Sequence, residues 1–218
     1  MKVLLFGATG MIGQGVLREC LADDSITQVL SISRSSTGTV HPKFREFLVA
    51  DLTTLDQYEN ELAGYDACLF SAGVTSLGLS EAEYLRITHD VTLAAVNPIL
   101  RASPLCTIVY VSGAGADSSE QGRVMWARVK GKTENTLIRL SDRTYIFRPS
   151  LIIPLDGIRS RTGWYNAVYA LLRPITPVVR KLGPALVTTT RQLGRAMIAV
   201  GRNGYSKRIL EMPDINSL

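Results

Sequence analysis

The 218-residue sequence has no long apolar run and few cysteines, and each shortage excludes a class of protein. Nothing approaches the ~18 consecutive apolar residues of a membrane span, and the apolar run after Lys2 stops at Gly7, so we expect neither a span nor a signal peptide. Cys20, Cys68 and Cys106 form no Cys-x-x-Cys pair, so we interpret them as reduced core thiols and expect no bound metal. A sequence without a predicted span, signal peptide or paired cysteines is typical of a cytoplasmic protein.

The net charge of +5 is unevenly distributed. Residues 1–122 contain 7 Lys/Arg and 14 Asp/Glu, whereas residues 123–218 contain 17 and 5. A basic half can indicate nucleic acid or an anionic membrane as partner. The basic residues are dispersed and no nucleic-acid motif accompanies them, so we expect no nucleic-acid partner. Solvated helix faces, or attraction of an anionic ligand, explain the charge better.

The most informative stretch opens the chain. A short apolar run, residues 3–6, is typical of a buried strand, and a helical apolar pattern begins at Met11. Gly7 lets the chain turn off the strand, Gly10 lets the backbone approach a diphosphate, and Gly13 lets the helix pack closely on the sheet. The helix N-terminus would offer free N–H groups and a positive dipole end to the anion. The alternative is a set of turn glycines without a ligand. We predict cofactor contacts from Gly7, Thr9, Gly10, Met11, Ile12 and Gly13.

The ends of the next two strands face the adenosine half of such a cofactor. Arg34 ends the second strand, about 20 residues beyond the glycines, where an acidic residue would bind the 2′-hydroxyl of NAD. Arginine suits a 2′-phosphate, so the sequence favours NADP over NAD; a solvated surface arginine is the alternative. After the third strand, Asp51 either reaches the adenine or caps the next helix with Thr53 and Thr54. We include Asp51 and Leu52 among the cofactor residues.

Later segments continue the alternation of strands and helices. Strands are predicted at 67–70, 107–111 and 145–149, and helices at 81–100 and 122–140. The rhythm indicates an α/β fold, a Rossmann-type doubly wound parallel sheet. Small residues after the fourth strand allow close approach of a cofactor; they are Ser71, Ala72 and Gly73. His89 and Asp90 lie inside a helical pattern, where solvent-facing positions are more common than catalytic ones.

The regular alternation of strands and helices ends at Ser150. Prolines at 154, 174, 177 and 184 interrupt the chain, so we predict one domain over 1–218 with a small substrate-side lobe at about 151–187. An apolar helical pattern from Trp164 is followed by Arg173, Arg180 and Lys181. This pattern fits burial against the main domain, and the alternative is a membrane-surface contact through residues 164–181. Hydroxyls at 188–190 are expected to cap a helix that runs to Val200.

Four motifs of the sequence belong together: Gly7-Ala8-Thr9-Gly10-Met11-Ile12-Gly13, Ser71-Ala72-Gly73, Tyr110-Val111-Ser112 and Phe147-Arg148-Pro149. With them the chain resembles the short-chain dehydrogenase/reductase superfamily, most closely its extended and atypical, epimerase-like branches. The resemblance implies cofactor contacts at Arg148 and Pro149, a catalytic serine at Ser112, and a Tyr-x-x-x-Lys on the following helix. Lys130 matches the lysine, which binds the nicotinamide ribose and lowers the pKa of the tyrosine. Trp126 stands at the tyrosine position, and no Tyr-x-x-x-Lys occurs in the sequence.

The missing tyrosine leaves two principal functions open. An indole N–H cannot titrate, so Trp126 either stacks on the nicotinamide or an aromatic substrate, or only fills space. The first function is an NADPH-dependent oxidoreductase or epimerase-like enzyme with a small-molecule substrate, its proton coming from water, Ser112 or Lys130. The second is a non-catalytic NADP(H)-responsive regulator or partner-binding module. A weaker third is a scaffold that holds a membrane or partner through residues 164–181.

Overall fold

The computed structural model describes residues 1–158 and 186–218. Seven parallel strands form one sheet in the order β3-β2-β1-β4-β5-β6-β9. Their bounds are β1 Lys2–Phe6, β2 Gln28–Ser33, β3 Phe44–Leu48, β4 Ala67–Phe70, β5 Thr107–Val111, β6 Thr144–Arg148 and β9 Ile209–Glu211. Two further strands, β7 Leu151–Ile153 and β8 Val187–Thr189, pair separately in parallel. The predicted Rossmann-type α/β fold is confirmed.

Helices cover both faces of the sheet. Their bounds are α1 Met11–Ala22, α2 Glu59–Leu62, α3 Glu81–Leu85, α4 Val91–Ala102, α5 Met125–Leu140, α6 Thr190–Asn203 and α7 Met212–Asn216. A 3-10 segment, Leu52–Tyr58, precedes α2, and a π-helical turn, Arg86–Asp90, joins α3 to α4. The helix predicted for 81–100 is therefore present but contains an inserted π turn. Among the described residues, no helix has the length and apolar content to cross a bilayer.

The alternation of side chains along β5 divides the core into two layers. Val109 and Val111 belong to the layer that contains residues of α1 and α6, whereas Ile108 and Tyr110 belong to the layer that contains residues of α4 and α5. Both layers are almost free of solvent, as expected for a parallel sheet covered on both faces. The same alternation places Ser112, the first residue after β5, on the α5 side.

Several sequence predictions change in detail. His89 is not solvent-facing: its Nε2 lies 3.3 Å from Thr136 Oγ1 on α5, and its Nδ1 lies 2.7 Å from Asp90 Oδ1. Thr188 belongs to β8 and caps nothing, whereas Thr189 caps α6 by accepting a hydrogen bond from Gln192 N at 3.0 Å. The three cysteines are buried and unpaired, as predicted.

The C-terminal lobe is only partly within the described residues. Residues 159–185 lie outside them, and these include Trp164, Arg173, Arg180 and Lys181. The lobe, the domain division and the membrane-surface contact therefore stay predictions. No group of three or more side chains with metal-ligating chemistry occurs within 1–158 and 186–218; the expectation of no bound metal likewise stays a prediction.

Candidate cofactor and active site

The glycine turn after β1 interlocks three backbone segments. Gly7 has φ +83°, a left-handed conformation that favours glycine, and a Cβ there would lie 2.6 Å from Ala72 N at the end of β4. A Cβ on Gly13 would lie 1.9 Å from Gly7 O. The structure thus confirms the turn at Gly7 and the close packing at Gly13, although Gly13 packs on the turn itself rather than on the sheet.

The first turn of α1 offers its amides to a ligand. Gly10 is the N-cap in an extended conformation, no side chain caps the helix, and its first turn has no acidic residue. The first amides of a helix have no partner within it, so those of Met11 and Ile12 remain as donors. Thr9 is tied to this turn because its carbonyl accepts a hydrogen bond from Gln14 Nε2 at 3.2 Å. A cradle of glycine backbone with an uncapped helix end fits a diphosphate.

Ser71 joins the fourth strand to this turn. Its N and Oγ both donate to Phe6 O, at 3.0 and 2.8 Å. Ala72 follows beside Gly7, and a Cβ on Gly73 would meet nothing within 4 Å. The three small residues lie at the carboxyl edge of the sheet, as predicted.

The adenosine side is built from the ends of β2 and β3. Arg34 is exposed and forms no ion pair with any residue in the described part of the chain. The loop that follows it is held by the Glu46 carboxylate, which accepts from Ser36 Oγ at 2.5 Å and Thr37 N at 2.7 Å. An ordered loop with a free guanidinium can accept a phosphate. The NADP preference stays a prediction.

Asp51 caps the 3-10 segment, which is one of its two predicted roles. Its Oδ1 accepts from Thr53 N at 2.9 Å, and its backbone carbonyl accepts from Thr54 Oγ1 at 2.8 Å. The bond from the Thr53 amide lowers the pKa of the Asp51 carboxyl. Leu52 is partly buried against the core. The adenine contact of both residues stays a prediction.

Ser112 lies at the centre of a polar network at the carboxyl end of β5. Its N donates to Phe147 O at 2.8 Å, and its Oγ donates a short hydrogen bond to Glu134 Oε1. Glu134 is on α5 and is completely buried. Arg148, at the end of β6, donates its Nε and Nη2 to the same carboxylate. Ser112 itself keeps some exposure, so a ligand can reach it.

Arg148 is held by several partners. Besides Glu134, it donates to Ser118 Oγ at 2.6 Å and to Glu211 Oε1 at 3.3 Å. The neighbouring Pro149 is buried, and its carbonyl accepts from Ala114 N at 3.0 Å. Arg148 and Pro149 therefore brace the loop after β5. Their predicted cofactor contacts stay predictions.

Lys130 and Trp126 occupy the face of α5 that carries Glu134. Lys130 is partly buried with its Nζ 5.4 Å from the centre of the Tyr110 ring. Burial lowers the pKa of Lys130 to about 8, while the charge of Glu134 opposes that shift. A Cβ on Gly115 would lie 3.6 Å from Trp126 Cη2, so the indole lies beside the loop that follows Ser112.

Tyr110 does not replace the missing phenol. It is almost completely buried in β5, and burial raises the pKa of its hydroxyl. A buried phenol that holds its proton more tightly than usual is a poor acid near neutral pH. Of the side chains in this region, Lys130 is the one whose pKa is moved toward neutrality.

Sequence reasoning missed Glu134. The signal was present, because Glu134 lies three residues after Gly131 and three before Leu137, on the buried face of α5. A charged residue in an apolar stripe implies a buried partner. That partner, Arg148, comes from another strand and could be identified only from the fold.

Comparisons with known proteins identify the family. A family model described as the NAD dependent epimerase/dehydratase family matches residues 3–123. The mitochondrial protein fmp52-2 of Aspergillus oryzae is 25% identical over 224 residues, covering 97% of this chain and 93% of that protein. Protein HTATIP2 of Rattus norvegicus is 26% identical over 169 residues, covering 76% of this chain and 68% of that protein. The mitochondrial protein FMP52 of Chaetomium globosum is 29% identical over 157 residues, and the chain spans only 65% of that relative.

Solved structures show the same fold. The Bordetella bronchiseptica enzyme WbmF in complex with NAD+ superposes with a TM-score of 0.69 at 13% identity, covering 99% of this chain and 76% of WbmF. An ElxO variant with NADPH bound superposes with a TM-score of 0.67 at 14% identity, covering 97% of this chain and 96% of the ElxO chain. The family match over residues 3–123 confirms the predicted epimerase-like resemblance, and the solved structures show the fold. With its model matched over more than half of the sequence, the chain belongs to the NAD dependent epimerase/dehydratase family of NAD(P)-binding proteins.

Proposed function

We propose that the protein is an NADP(H)-dependent oxidoreductase or epimerase-like enzyme that acts on a small molecule without a catalytic tyrosine. The observation that carries this proposal is the grouping of Ser112, Lys130 and Trp126 at one sheet edge, where β5 and α5 meet. The uncapped end of α1 opens at the same edge of a parallel sheet, which is where such folds bind their ligands. A nicotinamide cofactor, when bound, supplies or takes up the hydride.

The cofactor would be held by several of the predicted residues. Backbone amides at Gly10, Met11 and Ile12 would hold the diphosphate, and Gly7 and Gly13 shape the turn that presents them. Arg34 would pair with a 2′-phosphate, and this unpaired guanidinium is the support for NADP rather than NAD. NAD remains the alternative, since a solved neighbour of the same fold is described with NAD+.

Lys130 would hold and release the proton that the tyrosine handles elsewhere. Its pKa of about 8 gives comparable amounts of ammonium and amine near physiological pH, which a group that exchanges a proton requires. Ser112 would offer a hydroxyl two residues after Tyr110, the residue whose ring Lys130 approaches. Trp126 would provide a flat apolar surface for the nicotinamide or the substrate, since its indole donates a hydrogen bond but does not titrate.

The test is turnover of NADPH. Purified protein is incubated with NADPH and a panel of quinones, carbonyl compounds and sugar nucleotides, and absorbance at the nicotinamide band is followed. Steady oxidation that is lost in Lys130→Met, but retained in the matched surface variant Lys132→Met, would support the proposal. NADPH binding without turnover on any member of the panel would contradict it.

Trp126 supports a second candidate, a regulator that binds NADP(H) without turnover. Trp126 stands four residues before Lys130 in the sequence, where the resemblance implies the proton-transferring tyrosine, so the site could bind a cofactor and still lack one element of the reaction. A change of oligomeric state or partner binding with NADPH, measured by light scattering on protein that shows no turnover, would favour the regulator.

We keep a cytoplasmic location as part of the proposal. Some relatives are named mitochondrial, so mitochondria are the alternative. Cell fractionation with an antibody against the protein distinguishes the two.

A further inference from the structure

The Glu134 carboxylate is the most deeply buried charge at the candidate active site. It is completely buried on α5, and an isolated charge in that position would be costly. It is compensated by the guanidinium of Arg148, whose Nε lies 3.2 and 3.1 Å from Oε1 and Oε2 and whose Nη2 also bonds Oε2. Among the described residues, its other hydrogen-bond partner is the Ser112 hydroxyl. Glu134 thus connects a fixed cation to the predicted catalytic serine.

The chemistry of these three groups fixes where the Ser112 proton lies. A carboxylate paired with a guanidinium only accepts hydrogen bonds, and a hydroxyl has one proton. The short bond between Ser112 and Glu134 therefore uses the Ser112 proton. Within residues 1–158 and 186–218 no donor bonds to Ser112 Oγ, so its lone pairs remain for a ligand.

We propose that Glu134 is a positioning residue that holds Ser112 as a hydrogen-bond acceptor, so that the site binds its substrate through a hydroxyl group. This inference rests on the proposed function. A substrate alcohol donates to Ser112 Oγ, whereas a carbonyl group has nothing to donate and meets a lone pair. Arg148 neutralises Glu134, so the carboxylate orients the serine and does not serve as the base.

The isosteric variant Glu134→Gln should turn Ser112 from a hydrogen-bond acceptor into a hydrogen-bond donor toward the ligand. Arg148 needs an acceptor, so the amide oxygen takes the Oε2 position, within reach of both guanidinium nitrogens. The amide NH2 then faces Ser112 and donates to Oγ. The Ser112 proton is released toward the ligand and favours a carbonyl group.

The matched control is Glu211→Gln. Glu211 also contacts Arg148, at 3.3 Å, but does not contact Ser112, and it is half exposed. A variant that acts only by disturbing Arg148 would resemble Glu211→Gln, whereas a variant that acts on the serine would not.

The experiment measures binding to protein saturated with 1,4,5,6-tetrahydro-NADP, a redox-inert analogue of NADPH that neither oxidises the alcohols nor reduces the ketones. Two matched pairs are titrated by ligand-observed NMR: cyclohexanol with cyclohexanone, and 1-phenylethanol with acetophenone. We expect the wild type and Glu211→Gln to prefer the alcohols by roughly fivefold to tenfold, the value of about one neutral hydrogen bond. Glu134→Gln is expected to prefer the ketones, and Ser112→Ala neither. Should Glu134→Gln fail to fold, the comparison of wild type with Ser112→Ala decides.

Several outcomes would overturn the inference. They are equal affinities in the wild type, no detectable alcohol binding, or an equal change in Glu211→Gln and Glu134→Gln. Weaker binding of the cofactor analogue by Ser112→Ala without an alcohol preference would assign the donor to the cofactor ribose and also overturn it. The readout is binding, so an alcohol preference without NADPH turnover would refute the oxidoreductase and leave this inference standing. NADPH turnover without an alcohol preference would support the oxidoreductase and overturn this inference.

Discussion

Alanine substitutions at Gly10 and Gly13 should separate cofactor binding from folding. An alanine Cβ at position 13 would lie 1.9 Å from Gly7 O and 2.4 Å from Gly7 C, both backbone atoms that cannot rotate away. Replacing glycine by alanine inside a helix normally stabilises by about 0.5–1 kcal/mol. Overpacking costs about 1–3 kcal/mol and occasionally more. A contact of 1.9 Å to rigid backbone belongs at the upper end of that range, about 3 kcal/mol, so the net loss should be about 2 kcal/mol.

Gly10→Ala should behave differently. Its Cβ would lie 3.3 Å from Gly7 O, a tight contact that a shift of a few tenths of an ångström relieves. The cost to folding should stay near about 1 kcal/mol, because alanine is a clearly poorer N-cap than glycine. Binding should weaken at least about tenfold, because the methyl group would occupy the space that the diphosphate needs.

Both effects are measured on the same proteins. Urea unfolding gives the free energy of unfolding, and fluorescence titration gives the NADPH dissociation constant. Gly113→Ala is the control for stability, since its Cβ would meet nothing within 4 Å. The reasoning would be refuted by a folded Gly10→Ala protein that binds NADPH as tightly as the wild type, or by a Gly13→Ala protein as stable as Gly113→Ala.

Four further predictions concern single side chains. Arg34→Ala should weaken NADPH binding about tenfold and leave NADH binding unchanged in calorimetry, because a charge-assisted bond to the 2′-phosphate is lost; equal losses would contradict this. Reduction by NADPH should decline as pH rises through about 8, because the Lys130 ammonium is lost, and Lys130→Arg should show little reduction at any pH, because a guanidinium does not release its proton; a Lys130→Arg protein with the wild-type rate and pH profile would exclude Lys130 as the acid. Arg148→Met should lower the free energy of unfolding by about 3–5 kcal/mol, since Glu134 is left buried without its partner; urea unfolding checks this, and a loss below 1 kcal/mol refutes the pairing. Trp126→Tyr should raise NADPH turnover, because it restores a phenol near Lys130; a fall would show that the indole itself contributes.

The sequence predicted the central sheet because its strands are short apolar runs bounded by residues that stop them. β4 and β5 match their predicted bounds, and the glycines after β1 gave the site its position. These signals are local. A buried parallel strand needs apolar side chains on both faces, and glycine is needed where a Cβ would meet backbone.

Contacts between distant segments could not be predicted in the same way. Strands β7, β8 and β9 have three residues each, too few for a periodic pattern, and they depend on partners elsewhere in the chain. The orientation of His89 toward α5 depends on the π-helical turn, which shifts the phase of the helix. The bond between Glu134 and Ser112 joins a helix to a strand end, 22 residues apart.

If the glycine turn after β1 binds a pyridine nucleotide, calorimetry of the folded protein will detect it. NADPH, NADP+, NADH and NAD+ are titrated in turn into wild type and Gly10→Ala. We expect the wild type to bind NADPH and NADP+ and Gly10→Ala to bind them at least about tenfold more weakly. No heat of binding from any of the four nucleotides, on protein that circular dichroism shows to be folded, would contradict this expectation.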